Sequence, residues 1–189
     1  MDKHVIRNMM KEKRLTIDQE TFSFHNKQIF QKVIHHPIVQ SAKIIGCYVS
    51  LPQEVQTTQI ILELLKSHRV CVPKVEGSEM SFYEIHSLDD LKEGHFHVLE
   101  PVTSTLIEVC DIDFMIVPML AYDQKRYRVG YGKGYYDKYF ARGYTGYKLG
   151  LAFSFQYVEK IDVDENDIAL DEIITEELSS LFIEINCEM

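Results

Sequence analysis

The sequence predicts an α/β fold: a layered α/β/α, Rossmann-like arrangement with a mainly parallel sheet and a small antiparallel insertion. Three observations carry this. Short apolar runs at 43–49 (KIIGCYV), 114–118 (FMIVP) and 147–153 (YKLGLAF) lack the strict in/out alternation of a half-solvated strand, which is the mark of strands buried on both faces. Stretches with helical spacing of apolar residues alternate with them along the chain. The length, 189 residues at 46% hydrophobic, suits a single domain spanning 1–189 with ample core.

In chain order, 1–14 reads as a helix without a strong cap, with Lys3, Arg7, Lys11 and Arg14 forming one positive stripe. That stripe is either a solvated face or a ligand contact. Thr16-x-x-Gln19 resembles a capping box opening a second helix, on which Phe22, Ile29, Phe30, Val33 and Ile34 recur at helical steps until Pro37 stops it. His35 and His36 sit at that end as caps for carbonyls rather than as metal ligands. The first buried strand runs into Ser50–Glu54, and ligands of open α/β sheets collect at the C-terminal edge of strands. Glu54 there either compensates the next helix, which carries Ile60, Ile61, Leu64 and Leu65, or faces a ligand. Segments 70–73 and 80–85 read as antiparallel strands about a turn at Glu76-Gly77-Ser78, and Ser87-x-x-Asp90 as the cap of a short helix ending near Gly94. His95-x-His97 has no third ligand at suitable spacing, which disfavours a zinc site. A last edge strand is expected within 168–174.

The stretch that concentrates chemistry is Arg126–Lys138, RYRVGYGKGYYDK. It has three glycines, four tyrosines, four basic side chains and one acid, Asp137. Gly130, Gly132 and Gly134 allow close backbone approach and positive φ. Freed N–H groups can then point at an anion, and Lys133 sits between two of the glycines. The layout of strand, basic glycine loop and helix start is that of a phosphate site. It is not a Walker A loop, because Gly134 follows Lys133 where Ser or Thr is needed. Nor is it a dinucleotide fingerprint, whose glycine spacing differs and which follows its strand directly.

Composition excludes several classes. Net charge −9 argues against a general nucleic-acid binder, and leaves an anionic substrate to be met by local basic clusters. There is no secretion-signal pattern and no apolar run long enough for a membrane span. The four cysteines, Cys47, Cys71, Cys110 and Cys187, are scattered without a C-x-x-C pair, so reduced thiols in a cytoplasmic protein are expected.

The run VPMLAYDQKRYRVGYGKGYYDKYF (117–140) closely resembles the signature of 5-formyltetrahydrofolate cyclo-ligases, also called methenyltetrahydrofolate synthetases. Lys3-x-x-x-Arg7, YVSLPQEVQT at 48–57 and DENDIALDEIITE at 164–176 are similar to further pieces of that family in the same order. The resemblance implies ATP-dependent cyclisation of 5-formyltetrahydrofolate to 5,10-methenyltetrahydrofolate, with Mg²⁺ as cofactor and ATP as co-substrate. It implies ATP contacts from Lys3, Arg7, Arg128, Gly130, Tyr131, Gly132, Lys133, Gly134 and Tyr135, with Lys133 as the catalytic cation. It implies folate contacts from Val49, Glu54, Tyr135 and Tyr136, and Mg²⁺ held by Asp137 and Asp167. Tyr135 and Tyr136 stack on adenine or pterin, or simply pack. Some members carry a basic residue where this chain has Tyr131. A monomer is expected, with neither nucleic acid nor membrane as partner. The competing readings are a module that binds ATP without turnover, and an RNA binder using the Arg/Lys/Tyr loop.

Overall fold

The computed structural model describes residues 1–94 and 97–177. Seven strands form one sheet. In chain order these are β1 (Ile44–Cys47), β2 (Arg69–Glu76), β3 (Glu79–Ile85), β6 (Leu106–Ile107), β7 (Phe114–Val117), β10 (Tyr147–Leu151) and β11 (Glu172–Ile174). Their spatial order is β11-β10-β7-β1-β2-β3-β6. The first five in that order are parallel to one another, and β3 and β6 add antiparallel to the edge. Two small antiparallel ribbons complete the strands, β4 (Leu91–Glu93) with β5 (Leu99–Pro101), and β8 (Ala121–Tyr122) with β9 (Arg128–Val129).

The layering follows from the period-2 alternation of strand side chains. Ile45, Cys47, Val70, Val72, Phe114, Ile116, Leu149 and Leu151 face one way, and pack with Ile29 and Val33 of α2 (Gln19–Ile34), Val39 of α3 (Pro37–Ser41) and Ile60, Ile61 and Leu64 of α4 (Thr58–Leu64). Ile44, Cys71, Met115 and Val117 face the other way, toward Tyr139 and Phe140 of α5 (Tyr135–Ala141). A third cluster joins Ile6 and Met10 of α1 (Lys3–Arg14) to Ala121 and Val129 of the β8–β9 ribbon and to Val158 and Ile161. That last cluster holds the N-terminal helix beside the segment that follows β7. No helix among the described residues is long and apolar enough to cross a membrane.

Several local expectations are corrected. Helix α1 does have a cap: the Asp2 carboxylate accepts from the His4 and Val5 N–H groups. Helix α2 is capped by Asp18 rather than Thr16. Asp18 accepts from both the N–H and the hydroxyl of Thr21, whereas Thr16 donates its hydroxyl back to Lys13 O. A carboxylate with two donors outcompetes a hydroxyl that already has an acceptor. Pro37 opens α3 instead of merely ending α2, because a proline at the first helical turn lacks only an N–H that would be unpaired anyway. His35 does sit against the Gln31 carbonyl, at 2.8 Å. His36 instead accepts from Ile38 N–H as a cap for α3, and its Nε2 lies 2.9 Å from Glu172. The helix expected to reach Gly94 is one 3-10 turn, Leu88–Asp90, after which Leu91 enters the ribbon with Pro101. His95 lies outside the described residues, as does Cys187. His97 is exposed beside Glu93.

Candidate active site

One cleft of about 1220 Å³ gathers the sequence-predicted residues from four separate segments. It is lined by Lys3 and Arg7 of α1, Val49 and Glu54 after β1, Arg128 to Asp137 around the glycine loop, and Asp164 to Ile168. All four meet because β1 and β7 are adjacent and parallel, so their C-terminal ends release the 48–57 and 118–134 segments side by side. The chain between β10 and β11 is pinned over the β8–β9 ribbon by Val158 N–H to Tyr122 O and Leu170 N–H to Arg126 O.

The loop after β1 is tied by its own hydrogen bonds. Tyr48 donates its hydroxyl to Val55 O at 2.7 Å, Thr57 donates to Tyr48 O at 2.7 Å, and Ser50 N–H donates to Thr57 Oγ1. Thr57 is therefore occupied as a loop tie and makes no side-chain cap on α4. Glu54 is only 4% exposed. Its Oε2 accepts from Leu51 N–H at 2.8 Å and its Oε1 from the Tyr131 hydroxyl at 2.9 Å. Burial raises the Glu54 pKa above the usual glutamate value, while the Leu51 N–H, the Tyr131 hydroxyl and Arg14 pull against that rise. The Glu54 carboxylate lines the cleft and caps no helix.

The glycine loop is held by α1. Arg7 Nε donates to Gly130 O at 2.9 Å, and its guanidinium lies against Gly132. Gly132 and Gly134 have φ +98° and +67°, a conformation that strains any side-chain-bearing residue. Lys133 between them is exposed at the cleft. Gly134 leads into α5 without a side-chain cap.

The cations expected at phosphates are already engaged. Lys3 Nζ contacts Asp167 at 2.5 Å and Asp164 at 3.1 Å. Partial burial works against its charge, but the two carboxylates outweigh it and hold its pKa above the ordinary lysine value. Arg128, 8% exposed, donates to Asp137 at 3.1 Å and Ile168 O at 3.2 Å, and lies over the rings of Tyr136 and Phe140. Asp137 also accepts from Ile168 N–H, which places it beside the Asp167 segment. Tyr135 donates to Gly77 O at the rim, and Tyr136 packs edge-on to Phe82. Burial, followed by Cys47 and Glu54, puts the Tyr136 phenol far above its usual pKa.

For a metal, Asp137 and Asp167 are hard oxygen donors on one cleft, and each has one carboxylate oxygen that accepts no hydrogen bond among the described residues. No cluster of three His, Cys, Asp or Glu suited to a metal occurs among those residues. Such a pair fits Mg²⁺, which completes its shell with phosphate oxygens and water.

Reading the sequence alone missed the partners. Arg14 was visible as part of the basic stripe, but nothing indicated that it reaches Tyr131 at 3.0 Å. Its spacing of two helical turns from Arg7, which also contacts the loop, was the signal available. Lys11 of the same stripe is exposed and does not line the cleft.

The 5-formyltetrahydrofolate cyclo-ligase family model matches residues 1–176. A 5-formyltetrahydrofolate cyclo-ligase of Mus musculus is 28% identical over 190 residues, covering 93% of this chain and 94% of that one. The solved structure of a 5,10-methenyltetrahydrofolate synthetase from Aquifex aeolicus superposes with TM-score 0.85 at 35% identity, covering 93% of this chain and 90% of that one. A synthetase of the same name from Mycoplasma pneumoniae gives TM-score 0.77 at 28% identity, covering 94% and 100%.

Proposed function

Since the chain belongs to the 5-formyltetrahydrofolate cyclo-ligase family, we infer that it catalyses the ATP-dependent cyclisation of 5-formyltetrahydrofolate to 5,10-methenyltetrahydrofolate, releasing ADP and phosphate. The observation that carries this is the single cleft in which a cationic glycine loop faces the buried Glu54 carboxylate. The two halves suit two substrates of opposite character. Val49, Tyr48 and Glu54 suit a flat heterocycle whose N–H and amino edge is rich in donors. Lys3, Arg7, Lys133 and the backbone of Gly130–Gly134 suit the phosphates.

The chemistry explains why both must sit in one cleft. A formamide oxygen is a poor leaving group. Moving the γ-phosphoryl group onto it, with loss of ADP, converts it to an imidate phosphate. N10 then attacks the formyl carbon, phosphate leaves, and N10 gives up its proton. Phosphoryl transfer asks the protein for positioning and charge neutralisation rather than covalent chemistry. Lys133, exposed at the cleft between Gly132 and Gly134, suits stabilisation of the negative charge that develops on the moving group. Bound at Asp137 and Asp167, Mg²⁺ would supply neutralisation of phosphate charge. Tyr135, at the rim, suits the nucleotide or the tail of the folate. Tyr136, packed on Phe82 and under Arg128, lines the inner wall between the two halves.

The test is absorbance of the purified protein with 5-formyltetrahydrofolate, ATP and Mg²⁺ at the near-ultraviolet band of the methenyl product. A signal that requires all three supports the reading, and chelation of the metal abolishes it. Folded protein that binds ATP but yields no product would replace it with a module that holds a nucleotide without turnover.

A further inference from the structure

Tyr131 stands where the resemblance led to an ATP contact, yet its hydroxyl is turned to the other half of the cleft. The hydrogen-bond directions there are fixed by chemistry. A guanidinium has only donors, so Arg14 Nη1, at 3.0 Å, gives a hydrogen to the Tyr131 oxygen. The phenol hydrogen is then free to reach Glu54 Oε1 at 2.9 Å. Glu54 Oε2 already receives Leu51 N–H. Both carboxylate oxygens accept, and an ionised carboxylate accepts both of these hydrogen bonds most strongly. The chain Arg14 → Tyr131 → Glu54 therefore suits an ionised carboxylate at a buried position.

An ionised carboxylate in so dry a place needs a counter-charge. The groups that face it are the phenols of Tyr48 after β1, Tyr131 of the loop and Tyr136 of α5, together with Arg14 of α1. Burial keeps all three phenols neutral at ordinary pH, pushing Tyr131 up to about 12. Among the described residues, Arg14 is thus the cation that acts on Glu54. Arg14 is itself fixed in place, since its Nη2 donates to Met119 O at 3.0 Å at the end of β7, and its Nε is buried with no partner. A carboxylate offers about four lone-pair sites. Two are filled, and two remain for a pair of adjacent donors on a ligand.

We propose that Arg14 and Tyr131 are positioning residues for the folate: Arg14, acting through the Tyr131 hydroxyl, holds the Glu54 carboxylate charged and aimed, and this relay ties the glycine loop to the folate half of the cleft. The inference rests on the folate reading of the Glu54 side. It assigns Tyr131 to folate recognition rather than to the nucleotide. It also makes α1 a clamp on both sides of that residue, through Arg7 on Gly130 O and Arg14 on the phenol.

The experiment measures equilibrium binding of 5-formyltetrahydrofolate and of ATP separately, together with the pH dependence of kcat/KM for the folate. The proteins are wild type, Arg14→Met, Tyr131→Phe and the double variant. Loss of a hydrogen bond to a charged group is expected to weaken folate binding about tenfold in each single variant, with ATP binding held within about twofold. The acid limb of the folate profile moves to higher pH, because both groups lower the Glu54 pKa. The loss in the double variant falls short of the sum of the two single losses, since Arg14 acts on Glu54 in part through the phenol. Additive losses, equal losses for ATP, or an unmoved acid limb would each overturn the relay. Tyr131 is half exposed, so Tyr131→Phe keeps the test open should Arg14→Met fail to fold. Wild type that neither binds nor converts 5-formyltetrahydrofolate takes down the proposed function and the relay together. Wild type that does both, beside variants indistinguishable from it, takes down the relay alone.

Discussion

On the proposed folate side of the cleft, the polar groups of Tyr48, Ser50, Leu51 and Thr57 find partners within the 48–57 loop itself, directly off a buried strand. On the proposed phosphate side, the cations come from α1 and β9 and are neutralised by acids of other segments: Lys3 by the distant Asp164 and Asp167, Arg128 by Asp137 of α5. The first half is preformed, and a ligand entering it meets groups already aimed. The second is a set of ion pairs that, on the proposed function, phosphate oxygens and a metal would rearrange. A heterocycle bound by shape and two hydrogen bonds gains from rigidity. A phosphoryl group in transit needs nearby positive charge, the part proposed for the exposed Lys133 between Gly132 and Gly134.

This contrast can be broken most sharply at Lys133. Replacing it with alanine is expected to lower kcat by about 10²–10³-fold, the range for removing a group that stabilises transition-state charge. Thermal unfolding should not shift, because the side chain is exposed. An unchanged kcat would remove Lys133 from the mechanism and leave the proposed phosphate half without its agent.

Next in size is a change within β1, the strand beneath the preformed half. A Cβ at Gly46 would lie 2.6 Å from Met115 Sδ and 3.3 Å from Phe82 Cε1. Overpacking of that kind costs about 1–3 kcal/mol, and Gly46→Ala should lower Tm by roughly 2–4 °C for each kcal/mol lost. A thermal scan showing no loss would mean that the flexible Met115 absorbs the methyl and that the strand is less constrained than its neighbours imply.

Glu54→Gln probes the same half chemically. It should weaken 5-formyltetrahydrofolate binding about tenfold and ATP binding by less than about twofold; equal loss of both in titrations would make Glu54 a structural group. In the wild type the sign is set by the raised Glu54 pKa. The carboxylate is charged above that pKa and loses its charge as pH falls through it. Folate affinity should therefore decline at a pH higher than an ordinary glutamate would give, while ATP affinity does not share that midpoint.

The smallest expected effect is that of salt. Raising ionic strength shortens the screening length and weakens exposed charge contacts. The apparent ATP affinity should fall about threefold while folate affinity stays level, since its charge relay is partly buried. Parallel falls in both would erase the distinction between the halves.

How much of this was legible before the fold is a matter of range. The strands of the parallel core were readable from apolar runs, since burial on both faces leaves a local mark in composition. The glycine loop was readable as well, because positive φ and close approach demand glycine at the positions themselves. The caps were read less well. Thr16 and Asp18 are both acceptable cap residues, and only the donors around Asp18 decide between them. Helix α5 starts directly after the glycine loop as the layout implied, but Arg128 gave no sign that it would be buried against Asp137 and Ile168 rather than open to a ligand.

The α/β class, the family and the motif segments that line the cleft are written in the chain itself, because each resides in short segments: a hydrophobic period, a glycine spacing, a motif. Which charges meet is settled only in the folded molecule. Arg14 and Tyr131 are separated by 117 positions, and Lys3 and Asp167 by 164. No local propensity specifies such pairs. They arise because α1 is seated on the β8–β9 ribbon through Ile6, Met10, Ala121 and Val129, and that apolar contact brings one face of a basic helix to three separate parts of the site.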